Sequence, residues 1–283
     1  YTVDRHYPDI KDSKTPALDL LKIVIEKQTK LIVDWMRVGF IHGVMNTDNM
    51  AISGETIDYG PCAFMDTYDP ETVFSSIDHQ GRYAYINQPI ITKWNLVKFA
   101  ETLIPLIHDN EKKSIEIAQE TINKFDSLYQ EGWTNMMRSK IGLFGNDKED
   151  QNLIENLLSW MKKNKTDYTN TFYLLMKEKT KEDKIFDNSE FINWYKQWKI
   201  RLEKNKKTLE SSFNLMKKNN PVVIPRNHKV EEALDFANNN LNLKFVDNLF
   251  QILKKPYTDR SEIKDYQKPP IPNGRTYKTY CGT

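Results

Sequence analysis

The sequence is poor in cysteine, in long apolar runs and in net charge, and each shortage excludes a class of protein. Its 283 residues include two cysteines, Cys62 and Cys281, and five scattered histidines. None of these residues has the short ligand spacing of a structural zinc site, so zinc is not expected. No apolar run approaches the ~18 residues of a membrane-spanning helix. A formal net charge of only +2 gives no reason to expect a nucleic acid or membrane partner.

The start of the chain predicts that it continues upstream. It begins at Tyr1 without an initiator methionine, and no targeting segment is visible. Its first residues already look like the middle of a domain. We therefore expect an upstream portion that precedes Tyr1.

Helical periodicity dominates the rest of the sequence. Apolar residues recur at helical spacing over 16–38, where Thr15 could cap the helix and Pro16 suits its first turn. Further helices are predicted at 92–107, 111–130, 150–162, 188–217 and 229–254. Prolines in the last thirty residues predict an extended tail. The fold class is therefore predicted to be mainly α, or α+β overall with one small hairpin.

A polar loop follows the first long helix. It reads His42-Gly43-Val44-Met45-Asn46-Thr47-Asp48-Asn49, and Asp58-Tyr59-Gly60 follows it. Between them, 50–53 and 55–58 alternate on either side of a glycine, which predicts a two-stranded β-hairpin. Residues 61–89 have no sustained period and predict a long structured loop, a kind of segment that often carries function.

This order of motifs is typical of a protein kinase with one part replaced. A kinase catalytic loop places a histidine seven residues before a metal-binding asparagine, and a later Asp-Phe-Gly supplies a second ligand. His42 and Asn49 keep that spacing, and Asp58-Tyr59-Gly60 corresponds to the later triplet. Val44 stands where the kinase base belongs and has no proton acceptor. Asp48 is the nearest candidate for that role.

The chemistry of these residues suits a magnesium-nucleotide site. Asn49 offers an amide oxygen and Asp58 a carboxylate, the hard oxygen ligands that Mg²⁺ prefers. Taken singly, each residue has an ordinary structural explanation, because Asp and Asn often make turns or caps and a lone histidine is usually structural. Their joint order favours the metal site.

Longer stretches resemble the selenoprotein O (SelO/YdiU) family. The resemblance is carried by 39–50, 56–61, 78–83 and 87–89, with further support at 5–8 and 220–228. It implies a protein-kinase-like fold whose members bind ATP in a flipped orientation and transfer AMP to Ser, Thr or Tyr of protein substrates. It also implies that Asp48 is the catalytic base and that Asn49 and Asp58 bind Mg²⁺, or Mn²⁺ in its place, together with the nucleotide.

The resemblance also predicts the organisation of the chain. Residues 1–110 are expected to form a kinase-like C-terminal lobe core with the metal loop, and 111–283 a helical extension packed on the same lobe. The family's N-terminal lobe, with its nucleotide-gripping lysine and glutamate, has no counterpart in this sequence. A monomer is expected, in the cytoplasm if bacterial or in mitochondria if eukaryotic.

Several alternatives remain open. Asp48 could serve an ordinary kinase, or the lobe could be a scaffold that binds a partner or nucleotide without turnover. Cys62 is either a small partly buried thiol or the partner of Cys281 in a disulfide that ties the tail across the site. Some family members carry selenocysteine near the C-terminus, so the resemblance gives Cys281 a candidate redox role.

Overall fold

The computed structural model describes residues 1–178, 180, 183–271 and 277–280. These residues are mainly helical, as expected. The helices are α1 (Thr2–His6), α2 (Pro16–Val38), α3 (Gln88–Ile107), α4 (Glu111–Lys140), α5 (Asp150–Asn164), α6 (Tyr168–Met176), α7 (Ser189–Glu203), α8 (Leu209–Asn219), α9 (Asn227–Asn240), α10 (Lys244–Leu253) and α11 (Lys264–Gln267). Two short strands, β1 (Phe40–Ile41) and β2 (Ala63–Phe64), pair antiparallel with Phe40 opposite Phe64. No helix in the described ranges is long and apolar enough to cross a membrane.

Helix α2 leads directly into the polar loop and has the predicted bounds. Its buried side chains recur at helical spacing and include Leu21, Val24, Ile25, Ile32, Trp35 and Met36. The helix ends at Gly39, whose φ of 73° is a left-handed conformation that glycine adopts without strain. The predicted Thr15 cap does not form; the Thr15 hydroxyl donates to the Asp19 carboxylate instead, at 3.3 Å.

The predicted hairpin at 50–58 is wrong in detail. That segment contains a single antiparallel bridge, between Met50 and Thr56, and the two true strands, β1 and β2, flank it. Side chains from α2 form hydrogen bonds to polar groups of the 50–58 segment. Gln28 Nε2 donates to the Ala51 carbonyl at 2.5 Å, and Trp35 Nε1 donates to the Thr56 hydroxyl at 2.9 Å. The segment is therefore held by these bonds to α2 as well as by its single bridge.

Two predicted helices are each divided in two. The helix predicted at 188–217 is interrupted between α7 and α8, where the Asn205 side chain donates to the Gly142 carbonyl and accepts from the Phe144 amide. The helix predicted at 229–254 is interrupted at Leu241, whose φ is 48°.

The other predicted helices differ mainly at their ends. Helix α3 begins at Gln88 rather than at 92, and α4 continues to Lys140 rather than ending at 130. Helix α5 matches its prediction closely. Helix α6 was not predicted; it is capped by Asp167, whose carboxylate accepts from the Asn170 amide at 2.7 Å.

The buried apolar side chains form two clusters. The larger gathers the end of α2, both strands and the aromatic faces of α5, α6 and α7. The smaller joins α1 and the first half of α2 to α3 and α4. Both clusters take side chains from either side of residue 110, so the two predicted segments share their cores. The proposed boundary itself stays a prediction.

Candidate active site

The two motif segments found in the sequence lie against each other in the structure. They cross at Gly43, which has a φ of 90°. A Cβ atom added to Gly43 would lie 2.5 Å from the Pro61 carbonyl oxygen, a distance that real Cβ atoms do not reach. Only glycine fits this crossing, because both its conformation and its close backbone contact exclude a side chain. The polar loop and the Asp58-Tyr59-Gly60 segment are thereby brought together.

His42 connects the same two segments from inside. Its ring is fully buried, its Nε2 lies 2.8 Å from the Ile57 carbonyl, and its Nδ1 lies 3.4 Å from the Val44 amide. Burial lowers the pKa of His42, and this outweighs the opposing effects of its hydrogen bond to Ile57 and of the Asp58 carboxylate. The neutral ring therefore donates from Nε2 and accepts at Nδ1. His42 acts as a positioning residue for the segment that carries Asp58.

Buried amide side chains hold the backbone around the loop. Gln88, fully buried at the start of α3, accepts from the His42 amide at 3.1 Å and donates to the Phe40 carbonyl at 3.0 Å. Asn95, farther along α3, donates to the Met45 carbonyl at 2.9 Å. Sequence reasoning gave neither residue a role. The only signal was the position of Gln88 within Asn87-Gln88-Pro89, one of the stretches that carry the resemblance.

Asn49 has a fixed orientation. It ends a single 3₁₀ turn, Thr47–Asn49, in which its backbone amide donates to the Asn46 carbonyl at 3.0 Å. Its side-chain Nδ2 donates to the Val44 carbonyl at 3.0 Å. Because the nitrogen is engaged, the side-chain oxygen is the atom that Asn49 can offer to a ligand.

Asp48 and Asp58 are both exposed to solvent. Asp48 lies on the same turn as Asn49, and Asp58 has a φ of 55°, a left-handed conformation that an aspartate tolerates better than most residues. Neither carboxylate has a hydrogen bond or ion pair with another residue in the described part of the chain. Both are therefore available to a ligand.

These donors fit a magnesium ion that also binds phosphate. The described ranges contain no group of three or more His, Cys, Asp or Glu side chains arranged for a metal. Mg²⁺ does not need such a group, because it keeps several waters and is usually held by one or two carboxylates plus substrate phosphates. The Asn49 amide oxygen and the Asp58 carboxylate are hard oxygen ligands of that kind.

Cys62 lies half-buried just beyond this segment. Burial raises the pKa of its thiol to about 11, so the thiol stays protonated at neutral pH and is a weak nucleophile. Cys281 lies outside the described residues. Nearby, the Thr279 hydroxyl donates to the Pro61 carbonyl at 2.6 Å, and the Thr279 amide donates to the Phe74 carbonyl at 2.8 Å. The tail therefore reaches the active-site segment, and the Cys62–Cys281 disulfide stays a prediction.

A buried ion cluster supports the far end of β2. The Arg226 side chain is 1% exposed; its Nη1 lies 2.6 Å from both the Asp66 and Asp167 carboxylates, and its Nη2 donates to Asp167 at 3.1 Å. The next residue, Asn227, donates from Nδ2 to the Phe64 carbonyl at 3.1 Å. This cluster ties the start of α9 to β2 and α6.

The structure thus defines a mainly helical domain in which clamped loops present an amide and two free carboxylates to solvent. A family model described as protein adenylyltransferase SelO matches residues 1–254. The chain belongs to the SelO family, which confirms the resemblance drawn from its sequence.

Similar proteins named protein nucleotidyltransferase YdiU occur in several bacteria. The chain is 57% identical to the one from Pelagibacter ubique (strain HTCC1062). The alignment extends over 283 residues, which are 100% of this chain and 58% of the relative. Identity is 54% to that of Nitrosococcus oceani and 50% to that of Bacillus mycoides (strain KBAB4), again over 100% of this chain and over 57% and 58% of the relatives. The chain therefore spans less than two thirds of the length of these relatives.

Proposed function

We propose that this chain carries the metal ligands and the catalytic base of an ATP-dependent protein adenylyltransferase. The observation that carries the proposal is that Asp48 and Asp58 are exposed and have no hydrogen-bond or ion-pair partner among the described residues, on loops that buried neutral side chains hold in place. The reaction moves AMP from ATP to a Ser, Thr or Tyr hydroxyl of a protein. The names of the family and of its bacterial relatives support the same chemistry.

Asn49 and Asp58 are the proposed ligands of Mg²⁺, with Mn²⁺ as a substitute. A bound metal would neutralise charge on the phosphate oxygens of ATP. The contribution of the chain is to orient the ligands, since the bond from Asn49 Nδ2 to the Val44 carbonyl fixes the side-chain amide and leaves its oxygen free to bind. The backbone at Asp58 is fixed through the bond between His42 and Ile57.

Asp48 is the proposed base. The acceptor hydroxyl forms a bond to the α-phosphorus of ATP while the bond from that phosphorus to the bridging oxygen breaks. Pyrophosphate leaves, and the hydroxyl proton passes to the Asp48 carboxylate. Val44 is buried and has no acceptor atom, and His42 is buried with both ring nitrogens engaged. Asp48 is the exposed carboxylate of this loop.

Labelled ATP tests the proposal and separates it from phosphotransfer. The chain is supplied with Mg²⁺ and with ATP labelled at the α or the γ phosphate, alongside the longer relative from Pelagibacter ubique. We expect label to appear on protein only when the ATP is labelled at the α phosphate. The Asp48→Asn variant should transfer no label. Label transferred only from the γ position would show a kinase and contradict the proposal.

The proposal extends to the compartment and the oligomeric state of the protein. The relatives named above are bacterial. We expect the protein to act in a bacterial cytoplasm, as a monomer. Light scattering during size-exclusion chromatography would test the monomer, and a stable dimer at micromolar concentration would contradict it.

A further inference from the structure

A cavity lies apart from the loop carboxylates. It occupies about 740 Å³ between α3 and α4, beneath the loop that carries Tyr68, and Asp48, Asn49 and Asp58 do not line it. Its walls are mostly aromatic or apolar and include Tyr68, Tyr85, Trp94, Tyr129, Trp133 and Leu158. The volume falls within the roughly 300 to 1,000 Å³ of small-molecule sites, which are typically apolar with a few placed polar groups.

The Tyr68 hydroxyl is an unused donor in this wall. Tyr68 is 8% exposed and stacks on Tyr168, with ring centroids 5.6 Å apart. The hydroxyls of Tyr85 and Tyr168 both donate to the Met36 carbonyl, at 2.6 and 3.1 Å. Within the described ranges, the Tyr68 hydroxyl has no such partner. Because Tyr68 lines the cavity and its hydroxyl is not taken up by a described residue, this hydroxyl can donate to a molecule bound there.

Tyr129 gives the cavity a second donor. Its hydroxyl has no hydrogen bond to the described residues either. Burial, with a smaller contribution from the Tyr68 phenol, raises the pKa of Tyr129 above its usual range, and burial raises the pKa of Tyr68 to about 12. Both phenols therefore keep their protons at neutral pH. They can donate hydrogen bonds to an acceptor oxygen.

The charges around the cavity indicate a neutral ligand. The two charged residues among its lining, Lys93 and Asp126, pair with each other at 2.5 Å. No unpaired charge of the described lining is left to balance a charged ligand, and burying an unbalanced charge is costly. Aromatic walls favour a planar partner, since offset-stacked and edge-to-face ring contacts are favourable.

We propose that this cavity binds a neutral, planar aromatic molecule that carries a carbonyl oxygen, which accepts a hydrogen bond from Tyr68. The rings of the ligand pack against Trp94 and Trp133, and the carbonyl points toward the Tyr68 hydroxyl. The proposed catalytic and metal-binding residues do not line this cavity, so its existence does not depend on the adenylyltransferase proposal.

Calorimetry with a matched pair of probes tests the site. The ketone 2-acetylnaphthalene and the hydrocarbon 2-isopropenylnaphthalene have nearly the same shape, but only the ketone has an acceptor. We expect the wild-type chain to bind the ketone more tightly. Tyr68→Phe should weaken ketone binding by roughly three- to tenfold, the value of one hydrogen bond, and leave hydrocarbon binding unchanged.

Two further variants keep the test specific. Tyr173→Phe removes a hydroxyl that bonds to Asp259 outside the cavity, and it should change neither affinity. Leu158→Trp fills part of the cavity and should abolish binding of both probes, with folding checked by the thermal unfolding midpoint. The proposal is overturned if the ketone does not bind, if Tyr68→Phe binds it as wild type does, or if binding survives in folded Leu158→Trp.

Discussion

Two sets of aspartates in this protein lie in opposite environments that the sequence does not distinguish. In the core, Asp150 is fully buried and contacts Arg138 at 2.8 Å and Arg201 at 2.6 Å, while Asp66 and Asp167 share Arg226. A buried carboxylate needs such partners because desolvating an unpaired charge is costly. The loop carboxylates are exposed and unpaired in the described structure. A carboxylate that does not stabilise the fold is available for ligand chemistry.

The two regions are also held by different kinds of interaction. The Arg226 cluster is held by charged side chains. The polar loop is instead held by neutral groups, the His42 ring and the side-chain amides of Gln88 and Asn95. Neutral clamps fix the backbone without placing a cation beside Asp48 or Asp58. A neighbouring cation would compete with a metal ion for these carboxylates.

The largest expected effect is on the core cluster. Arg226→Ala leaves Asp66 and Asp167 without their cation and should lower the free energy of unfolding by about 3 to 5 kcal/mol, measured by urea denaturation. Lys268→Ala is the matched control. Its ion pair with Asp265 has the same 2.6 Å distance, but both side chains are exposed. The control should lower the free energy of unfolding far less, because solvent screens an exposed ion pair. Equal losses of stability in Arg226→Ala and Lys268→Ala would contradict the distinction between buried and exposed ion pairs.

The crossing at Gly43 should give the next largest effect. Gly43→Ala introduces both left-handed strain and a clash with the Pro61 carbonyl, so we expect a loss of about 2 to 3 kcal/mol and impaired AMP transfer. Gly145→Ala provides the comparison, because Gly145 has a φ of 68° but no atom within 4 Å of an added Cβ. It should lose only about 1 kcal/mol. An equal loss of stability in Gly43→Ala and Gly145→Ala would contradict the close contact between Gly43 and Pro61.

A smaller effect should appear in the dependence of stability on pH. Burial holds the pKa of His42 below its ordinary value of 6.5, so the folded state binds the proton less readily than the unfolded state. The neutral His42 ring therefore makes its full contribution to the free energy of unfolding above about pH 6.5. This contribution is lost as the pH falls through the pKa of His42 in the folded state. His42→Gln keeps a donor for Ile57 but cannot titrate.

Denaturation of this variant between pH 7 and pH 5 measures the effect. The free energy of unfolding should fall less steeply with decreasing pH in His42→Gln than in the wild type. His79→Gln, which changes an exposed histidine, should keep the wild-type slope. An unchanged slope in His42→Gln would show that the imidazole is not held neutral by the fold.

The predictions drawn from the sequence rest on local signals. The periodicity of α2, whose predicted bounds the structure confirms, and the order of the candidate residues His42, Asn49 and Asp58 can each be recognised within a short stretch of the sequence. The clamps cannot be recognised in this way, because Gln88 and Asn95 act on backbone groups nearly fifty positions away. The interruption at Asn205 has the same cause, since its partner is the turn at Gly142. Such long-range polar contacts leave no periodic pattern in the sequence.

The single most direct measurement is calorimetric titration of Mg²⁺-ATP into wild-type protein and Asp58→Asn, with the free energy of unfolding measured on the same samples. The substitution keeps the size of the side chain and removes its charge. An exposed, unpaired carboxylate predicts stability within about 0.5 kcal/mol of wild type and at least a tenfold loss of magnesium-dependent binding. Binding that persists unchanged in Asp58→Asn, or a large loss of stability, would contradict the assignment of Asp58 as a ligand rather than a structural residue.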